Sequence, residues 1–122
     1  MLELLEKFPK AAKVVKQYYL EKLIESLDAT LPEDFREHVR EQGITDEVLA
    51  KIVGEAPRMV FDVFDENGIY ISIGVFAPAS FKYQINDLLI GPVFRYSEIF
   101  KNRKEAEKAA VEKAFKLLNE KL

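Results

Sequence analysis

The spacing of the apolar residues changes at Pro57, and this change constrains the fold more than any other feature of the sequence. Before Pro57 the apolar residues recur at intervals of three and four, the period of an amphipathic helix. After it they alternate, as in a strand, and from Asn102 to Leu122 the helical period returns. This order predicts an α+β domain with a mostly antiparallel sheet.

The predicted domain organisation follows the same three parts. A chain of 122 residues is the size of one domain and needs no disulfide to stabilise its core. We expect a single domain over 1–122. Its parts are three helices within 1–56, an antiparallel sheet of three to four strands within 57–100, and a long helix at 101–122 that packs on the sheet.

Three amino-terminal helices are predicted from caps and breakers. The first runs from Pro9 to Leu27, after a short turn at 2–7. Its buried face rotates along its length, which favours a helix that crosses two layers of its own domain over one that docks on another chain. The second begins at an N-cap on Thr30 and stops at Gly43, and the third runs from Thr45 through Val53, with Gly54 after its last turn.

The second and third helices have the spacing of a helix-turn-helix motif. The would-be recognition helix, however, begins with Asp46 and Glu47, which would repel phosphates. The pattern therefore favours a structural helical hairpin over a DNA reader.

The strands are predicted from alternation and from turn residues. Asn67-Gly68 is the typical turn of a tight hairpin, so it should join the first two strands. Residues Asp87 to Pro92 should form the loop between the third and fourth. The strand positions are Met59, Phe61 and Val63, then Ile69, Ile71, Ile73 and Val75, then Phe81, Tyr83 and Ile85, and finally Phe94 and Tyr96.

Charge and cysteine content exclude several classes of function. Eighteen Lys and Arg against twenty-one Asp and Glu give a net charge of -3, which disfavours a general nucleic-acid binder. The absence of cysteine excludes disulfides, thiolate nucleophiles and zinc-thiolate sites. The amino terminus has no secretory pattern and no apolar run reaches the length of a membrane span, so we expect a cytoplasmic protein with no membrane partner.

Catalytic chemistry finds little support in the sequence. The one histidine, His38, lies four residues after Asp34, and together they would make a weak two-ligand site for a divalent metal. Such residues on an amphipathic helix more often form a solvated face, and no phosphate loop or nucleophile motif is present. We therefore expect no catalytic residue, no metal and no cofactor, with a metal-assisted hydrolase around His38 as the least favoured alternative.

Two candidate binding surfaces remain. The first is an aromatic face of the predicted strands, formed by Phe64, Tyr70 and Phe76; in the alternative, the amino-terminal helices cover this face and its residues belong to the core. The second is a basic cluster at the start of the last helix, where the helix dipole also favours an anion. This cluster contains Lys101, Arg103, Lys104 and Lys108, and Lys82 or Arg95 would join it if the strands pair suitably.

The segment from Asn102 to Ala114 resembles the second helix of a double-stranded RNA-binding domain. In that family a basic pair at the helix start and a third lysine one turn later hold phosphates, while alanines pack on the sheet. Arg103 and Lys104 match the basic pair, but Glu107 stands at the third basic position beside Lys108. The family's Gly-Pro-x-His loop has no counterpart here.

The segments LLEKFPKAA, FDVFDENGIYI and NRKEAEKAAVEKAF resemble small uncharacterised proteins of bacteriophages and mobile elements of gut bacteria. This resemblance implies an accessory protein that acts by binding, such as an anti-CRISPR-like inhibitor of a host defence nuclease. The leading interpretation is therefore a non-enzymatic module that binds a protein. The alternative is a nucleic-acid-binding module, and a homodimer is compatible with either.

Overall fold

Helices form most of the described chain before the sheet, and one long helix follows the sheet. The computed structural model describes residues 2–27, 30–87 and 97–122. Among these residues the helical segments are α1 (Leu2–Lys7), α2 (Pro9–Ser26), α3 (Glu33–Gln42), α4 (Asp46–Glu55), a 3-10 helix (Pro57–Val60), α5 (Phe61–Glu66) and α6 (Arg103–Lys121).

Most predicted helix ends are where the sequence places them. The Thr45 hydroxyl accepts a hydrogen bond from the Val48 amide at 3.3 Å, as an N-cap should. Gly43, with φ 68°, ends α3 in a conformation that favours glycine. Three details differ. Residues 2–7 form the helix α1 rather than a turn, so the described residues before Pro57 contain four helices and not the three predicted. In addition, α3 begins after Pro32 rather than after a cap on Thr30, and Gly54 lies inside α4.

The prediction of a strand through Met59, Phe61 and Val63 is wrong. Residues 57–66 form the 3-10 helix and α5, because the helical conformation buries Val60, Val63 and Phe64 together. Asn67-Gly68 consequently ends a helix instead of joining two strands, and Gly68 has φ 78°. The helical part of the domain therefore extends to Glu66 and does not close at Pro57.

The described sheet is one antiparallel hairpin of β1 (Ile69–Ala77) and β2 (Ser80–Asp87). Ile71 pairs with Ile85 and Ile73 with Tyr83, which confirms the second and third predicted strands. The hairpin turn is Pro78-Ala79, with Ala79 at φ 55°. This turn type places proline at its first central position and a positive φ at its second.

The sheet has fewer described strands than the three to four predicted. The predicted fourth strand, with Phe94 and Tyr96, and most of the loop after Asp87 lie outside the described residues. Beyond them, Phe100 forms an antiparallel bridge with Phe81 along the outer edge of β2. The Ser97 amide also donates a hydrogen bond to the Tyr83 carbonyl at 2.8 Å.

The core lies between α6 and the elements that precede it. The helix α6 packs across both strands and against α2, as predicted for its stripe of small residues. Ala106, Ala110 and Ala114 on this stripe are fully buried, and Phe115 meets Phe64 edge-to-face at 5.4 Å between ring centroids. The sequence therefore correctly predicts an α+β fold with a long carboxy-terminal helix on the sheet.

The two halves of α2 bury their apolar residues against different parts of the same domain, so the rotation of its apolar face requires no second chain. Its first half buries Ala12 and Val15 in the main core. Its second half buries Leu20 and Ile24 and contacts α3, where Arg36 Nη1 donates a hydrogen bond to the Ile24 carbonyl at 3.5 Å. The helix thus crosses two layers of its own domain.

Candidate functional site

Of the three residues of the predicted aromatic surface, Tyr70 and Phe76 are exposed and Phe64 is buried. Phe64 is fully buried on α5 against Phe115, so its predicted place on a strand face is wrong. The physical reason is the helical conformation of 61–66, which turns this side chain into the core. Tyr70 and Phe76 lie on β1 and are 40% and 52% exposed.

Tyr70 and Phe76 share one face of the hairpin. A register shift between Val75 and Ala77 makes Phe76 the extra residue of a bulge. Lys82 pairs with Gly74 and therefore lies on the same face as Tyr70. Its ammonium is 5.0 Å from the centroid of the Phe76 ring, so Phe76 belongs to this face too.

The opposite face of the hairpin packs toward α6. Ile69 and Ile85 are buried in the core cluster on this side, with Ile71 and Tyr83 partly buried against it. Asp87, at the end of β2, is also buried, and its Oδ1 lies 2.7 Å from Lys121 Nζ at the end of α6. The hairpin is thus anchored through one face, and the face with Tyr70 and Phe76 is turned away from α6.

The predicted basic cluster lies at the same end of the molecule as the hairpin turn. Lys101, Arg103 and Lys104 are exposed at the start of α6. The Arg103 guanidinium is 5.7 Å from the centroid of the Phe81 ring, and Phe81 pairs with Val75 next to the turn. Lys108, one turn later on α6, is half-buried.

We call this region the hairpin end. It comprises Val75, Phe76, Phe81, Lys82, Ile99, Lys101, Arg103 and Lys104. The sequence predicts most of these residues as two separate surfaces. The structure places the segments that carry them side by side, with Phe76 and Lys82 on the face of the hairpin opposite to Phe81 and Arg103. The signal that the sequence lacks is the antiparallel bridge between Phe81 and Phe100, which brings the start of α6 beside the turn.

The four cations of the hairpin end differ from those cations of the protein that form ion pairs. Lys16, Arg58 and Lys121, for example, form ion pairs with carboxylates. Among the described residues, no carboxylate lies within ion-pair distance of the hairpin-end cations Lys82, Lys101, Arg103 and Lys104. Their charge is therefore available to an anionic partner.

Glu107 and Asp46 each have a structural role at a position where a nucleic-acid binder would need an open positive surface. Glu107 is buried, and its Oε1 accepts a hydrogen bond from Arg58 Nη2 at 2.9 Å. Asp46, at the start of α4, binds Lys16 Nζ at 2.6 Å. The start of α4 is consequently held against α2.

The candidate metal site on α3 is a solvated surface. His38 and Asp34 are both exposed. In the ranges 2–27, 30–87 and 97–122, no group of three or more histidine, aspartate and glutamate side chains is arranged to hold a metal ion.

Two surface grooves carry charged side chains. The larger, about 510 Å³, lies between α1, β2 and α6 and includes Tyr83. Burial raises the pKa of Tyr83, and the carboxylates of Glu98 and Glu112 add to this rise. The smaller, about 350 Å³, lies between α2 and α5, and its charged lining residues are Glu21, Glu25, Glu66 and Lys22. Both are open to solvent, and polar and apolar groups line them in similar measure.

Comparisons of the chain with protein-family models, curated proteins and solved structures give no match. No helix in the described part of the chain has the length and apolar composition needed to cross a membrane.

Proposed function

We propose that this chain is a non-enzymatic protein-binding module and that the exposed face of its hairpin contacts the partner. The observation that carries the proposal is the exposure of Tyr70 and Phe76 on one face of a hairpin whose other face is anchored in the core. Aromatic residues on a rigid element supply large contact area at low entropic cost, and they are enriched in protein interfaces.

The resemblance to phage and mobile-element proteins favours one biological role for such a contact. In that role the chain acts in the cytoplasm, without a cofactor, and inhibits a host defence nuclease by covering part of its surface. The hairpin face supports this role because binding alone requires no catalytic group.

The alternative, binding of double-stranded nucleic acid, has weaker support. Arg103 and Lys104 are exposed where the resemblance to an RNA-binding domain requires cations. The third position holds the buried carboxylate of Glu107, however, and this carboxylate is bound to Arg58. A buried, paired carboxylate does not bind phosphate.

The proposal is tested by affinity capture from a lysate of the source organism, with nuclease added throughout. The test variant carries Tyr70→Ser and Phe76→Ser. The matched control carries Phe35→Ser and Val48→Ser, which remove comparable exposed apolar groups from α3 and α4.

We expect the wild type and the control to retain one protein stoichiometrically and the test variant to lose it. The captured protein is then purified and its direct binding to each variant is measured by calorimetry. Equal binding by the test variant, or no direct binding by the purified protein, would contradict the proposal.

A further inference from the structure

We infer that two copies of this chain associate through the outer edge of β1, with their β1 strands antiparallel about a two-fold axis at Ile73. The contact joins two hairpins into one four-stranded sheet. This inference goes beyond the proposed function, because it concerns backbone groups in the plane of the sheet and not the exposed face of the hairpin. It is carried by the direction of those groups and by the side chains beside them.

The hydrogen bonds of β2 show which of its backbone groups point away from β1. The Phe81 amide donates to the Phe100 carbonyl at 2.9 Å, and the Phe100 amide donates to the Phe81 carbonyl at 2.8 Å. The Tyr83 carbonyl accepts from the Ser97 amide at 2.8 Å. The N–H and C=O groups of Phe81 and the C=O group of Tyr83 are therefore directed to the side of β2 that lies away from β1.

The same alternation fixes the direction of the backbone groups of β1. Val75 lies opposite Phe81, and Ile73 lies opposite Tyr83. In an antiparallel ladder the two members of such a pair both point away from each other, so Val75 and Ile73 point to the outer edge, and Ile71 follows by the two-residue alternation. Within the described part of the chain, no hydrogen bond occupies these outward groups.

This edge lacks the features that usually keep sheet edges from pairing. Edge strands are commonly protected by charged side chains, by proline or by a bulge. From Ile69 to Ala77 the sequence has no charged residue and no proline. The bulge of β1 lies after Val75, at the turn, so the stretch 71–75 is regular. A second strand can therefore pair along this stretch.

The outward residues of β1 are complementary to themselves. With Ile73 on the two-fold axis, it lies opposite its own copy, and Ile71 lies opposite Val75 of the second copy. Each pair exchanges backbone hydrogen bonds, because all three residues point outward. Val75, which is 56% exposed, gains a β-branched neighbour, and no like charges meet because the strand carries none. A second copy thus supplies every group that this edge requires.

The side chains favour this register over others. Any other two-fold register places at least one of the three outward residues opposite Ile69, which is fully buried, or opposite residues beyond the bulge. On the exposed face, the register at Ile73 brings Tyr70 toward Phe76 of the second copy, and aromatic pairs across strands are favourable. The exposed faces of the two hairpins then form one continuous surface.

The experiment is sedimentation velocity of the full chain from about 1 µM to about 1 mM, a range that covers weak and moderately tight dimers. Hydrogen exchange of the backbone amides is measured by nuclear magnetic resonance in the same samples. The amides of Ile71, Ile73 and Val75 have no acceptor among the described residues of one chain. Pairing of the two edges protects them from exchange.

The test variants are Ile73→Lys and Ile73→Glu, studied singly and as an equimolar mixture. Each variant alone places like charges directly opposite across the axis, which destabilises the pairing, whereas the mixture places a lysine opposite a glutamate. Val75→Lys, at an exposed position, replaces these variants if their spectra show an altered fold. The control, Val48→Lys, makes the same change at a position on α4 that is 50% exposed.

We expect the wild type and the control to dimerise in this range, with slower exchange at the three outward amides as concentration rises. Each test variant alone should dimerise at least about tenfold more weakly, and the mixture should recover the dimer. A monomeric wild type at about 1 mM, or a species larger than a dimer, would overturn the inference. So would outward amides that stay unprotected in the dimer, test variants no weaker than the control, or a mixture of folded Ile73 variants that stays monomeric.

The proposed function is tested separately from this dimer. The replacements Tyr70→Ser and Phe76→Ser leave the outward backbone groups of β1 in place, and Ile73→Lys leaves both aromatic side chains in place. Should the chain prove monomeric while protein capture still depends on Tyr70 and Phe76, the proposed function stands and the inference about the β1 edge is wrong.

Discussion

Glu107 on α6 is buried, and its Oε1 accepts a hydrogen bond at 2.9 Å from Nη2 of Arg58 on the 3-10 helix. The two side chains differ in environment, since that of Arg58 is 61% exposed and that of Glu107 is 8% exposed. The contact links the start of the carboxy-terminal helix to the segment that precedes the sheet. The buried carboxylate depends on a partner that is largely in solvent.

The replacement Arg58→Ala should destabilise the protein by roughly 1–3 kcal/mol, because it leaves the Glu107 carboxylate buried without this donor. The free energy of unfolding is measured by urea denaturation at neutral pH. The companion replacement Glu107→Gln should cost less, since a neutral amide requires less solvation than a carboxylate.

The control is Arg40→Ala, which removes ion pairs with Glu37 and Glu33 on the exposed surface of α3. Exposed pairs contribute only about 0–1 kcal/mol. A cost for Arg58→Ala no larger than that for Arg40→Ala would show that the Arg58–Glu107 contact does not stabilise the fold.

Local sequence did not determine the conformation of residues 59–66. Alternation favours a strand that buries Met59, Phe61 and Val63, whereas helical spacing buries Val60, Val63 and Phe64. Both patterns are present in the same residues. The helical conformation is favoured because it lets Phe64 contact the ring of Phe115, which lies 51 residues later in the sequence. Tertiary packing therefore overrides the hairpin signal of Asn67-Gly68.

The strands of the hairpin and the last helix were easier to predict. The alternation from Ile69 to Val75 and the stripe around Ala110 each fit one conformation only, and the structure confirms both. The candidate site was predicted only in pieces. The segments that carry its two parts lie side by side through the pairing of Phe81 with Phe100, a contact that no local pattern encodes.

The stripe of small residues on α6 sets a limit on side-chain volume. Ala110 is fully buried in the middle of this stripe. The replacement Ala110→Leu should therefore overpack the interface and destabilise the protein by roughly 1–3 kcal/mol. Lys113→Ala, at an exposed position on the same helix, should change stability by no more than about 0.5 kcal/mol. Equal, small effects of both replacements in a denaturant titration would show that α6 does not pack closely at Ala110.

Alkaline pH should weaken the contact between α2 and the 3-10 helix. The Tyr19 hydroxyl donates a hydrogen bond to the Met59 carbonyl. Burial raises the pKa of Tyr19 from 10.0 to about 12, and the neighbouring Tyr18 and Asp62 add to the rise. The unfolded chain therefore loses this proton first. The contribution of Tyr19 to stability is complete below pH 10 and declines between the two pKa values.

The measurement is thermal unfolding across this pH window for the wild type, for Tyr19→Phe and for Tyr70→Phe, a change at an exposed tyrosine. Tyr19→Phe should lose less stability than the wild type between neutral pH and about pH 12. At neutral pH it should already be less stable, by roughly 0.5–1.5 kcal/mol, because the hydrogen bond is absent. Identical pH profiles for Tyr19→Phe and the wild type would contradict the assignment of this proton to Tyr19.

Duplex RNA provides the test that separates the two leading functions. At physiological salt we expect the wild type to bind duplex RNA no more tightly than about 10⁻⁴ M, the weak end of non-specific affinity. The reason is that Arg103 and Lys104 lack the third cation of the RNA-binding pattern, since Glu107 is buried and held by Arg58. Binding is measured by fluorescence anisotropy at several salt concentrations.

For a true duplex binder, affinity would be micromolar, would fall with salt at a log–log slope of about 0.9 per phosphate contacted, and would be abolished by Arg103→Glu with Lys104→Glu. That result would replace protein binding with nucleic-acid binding as the function of the hairpin end.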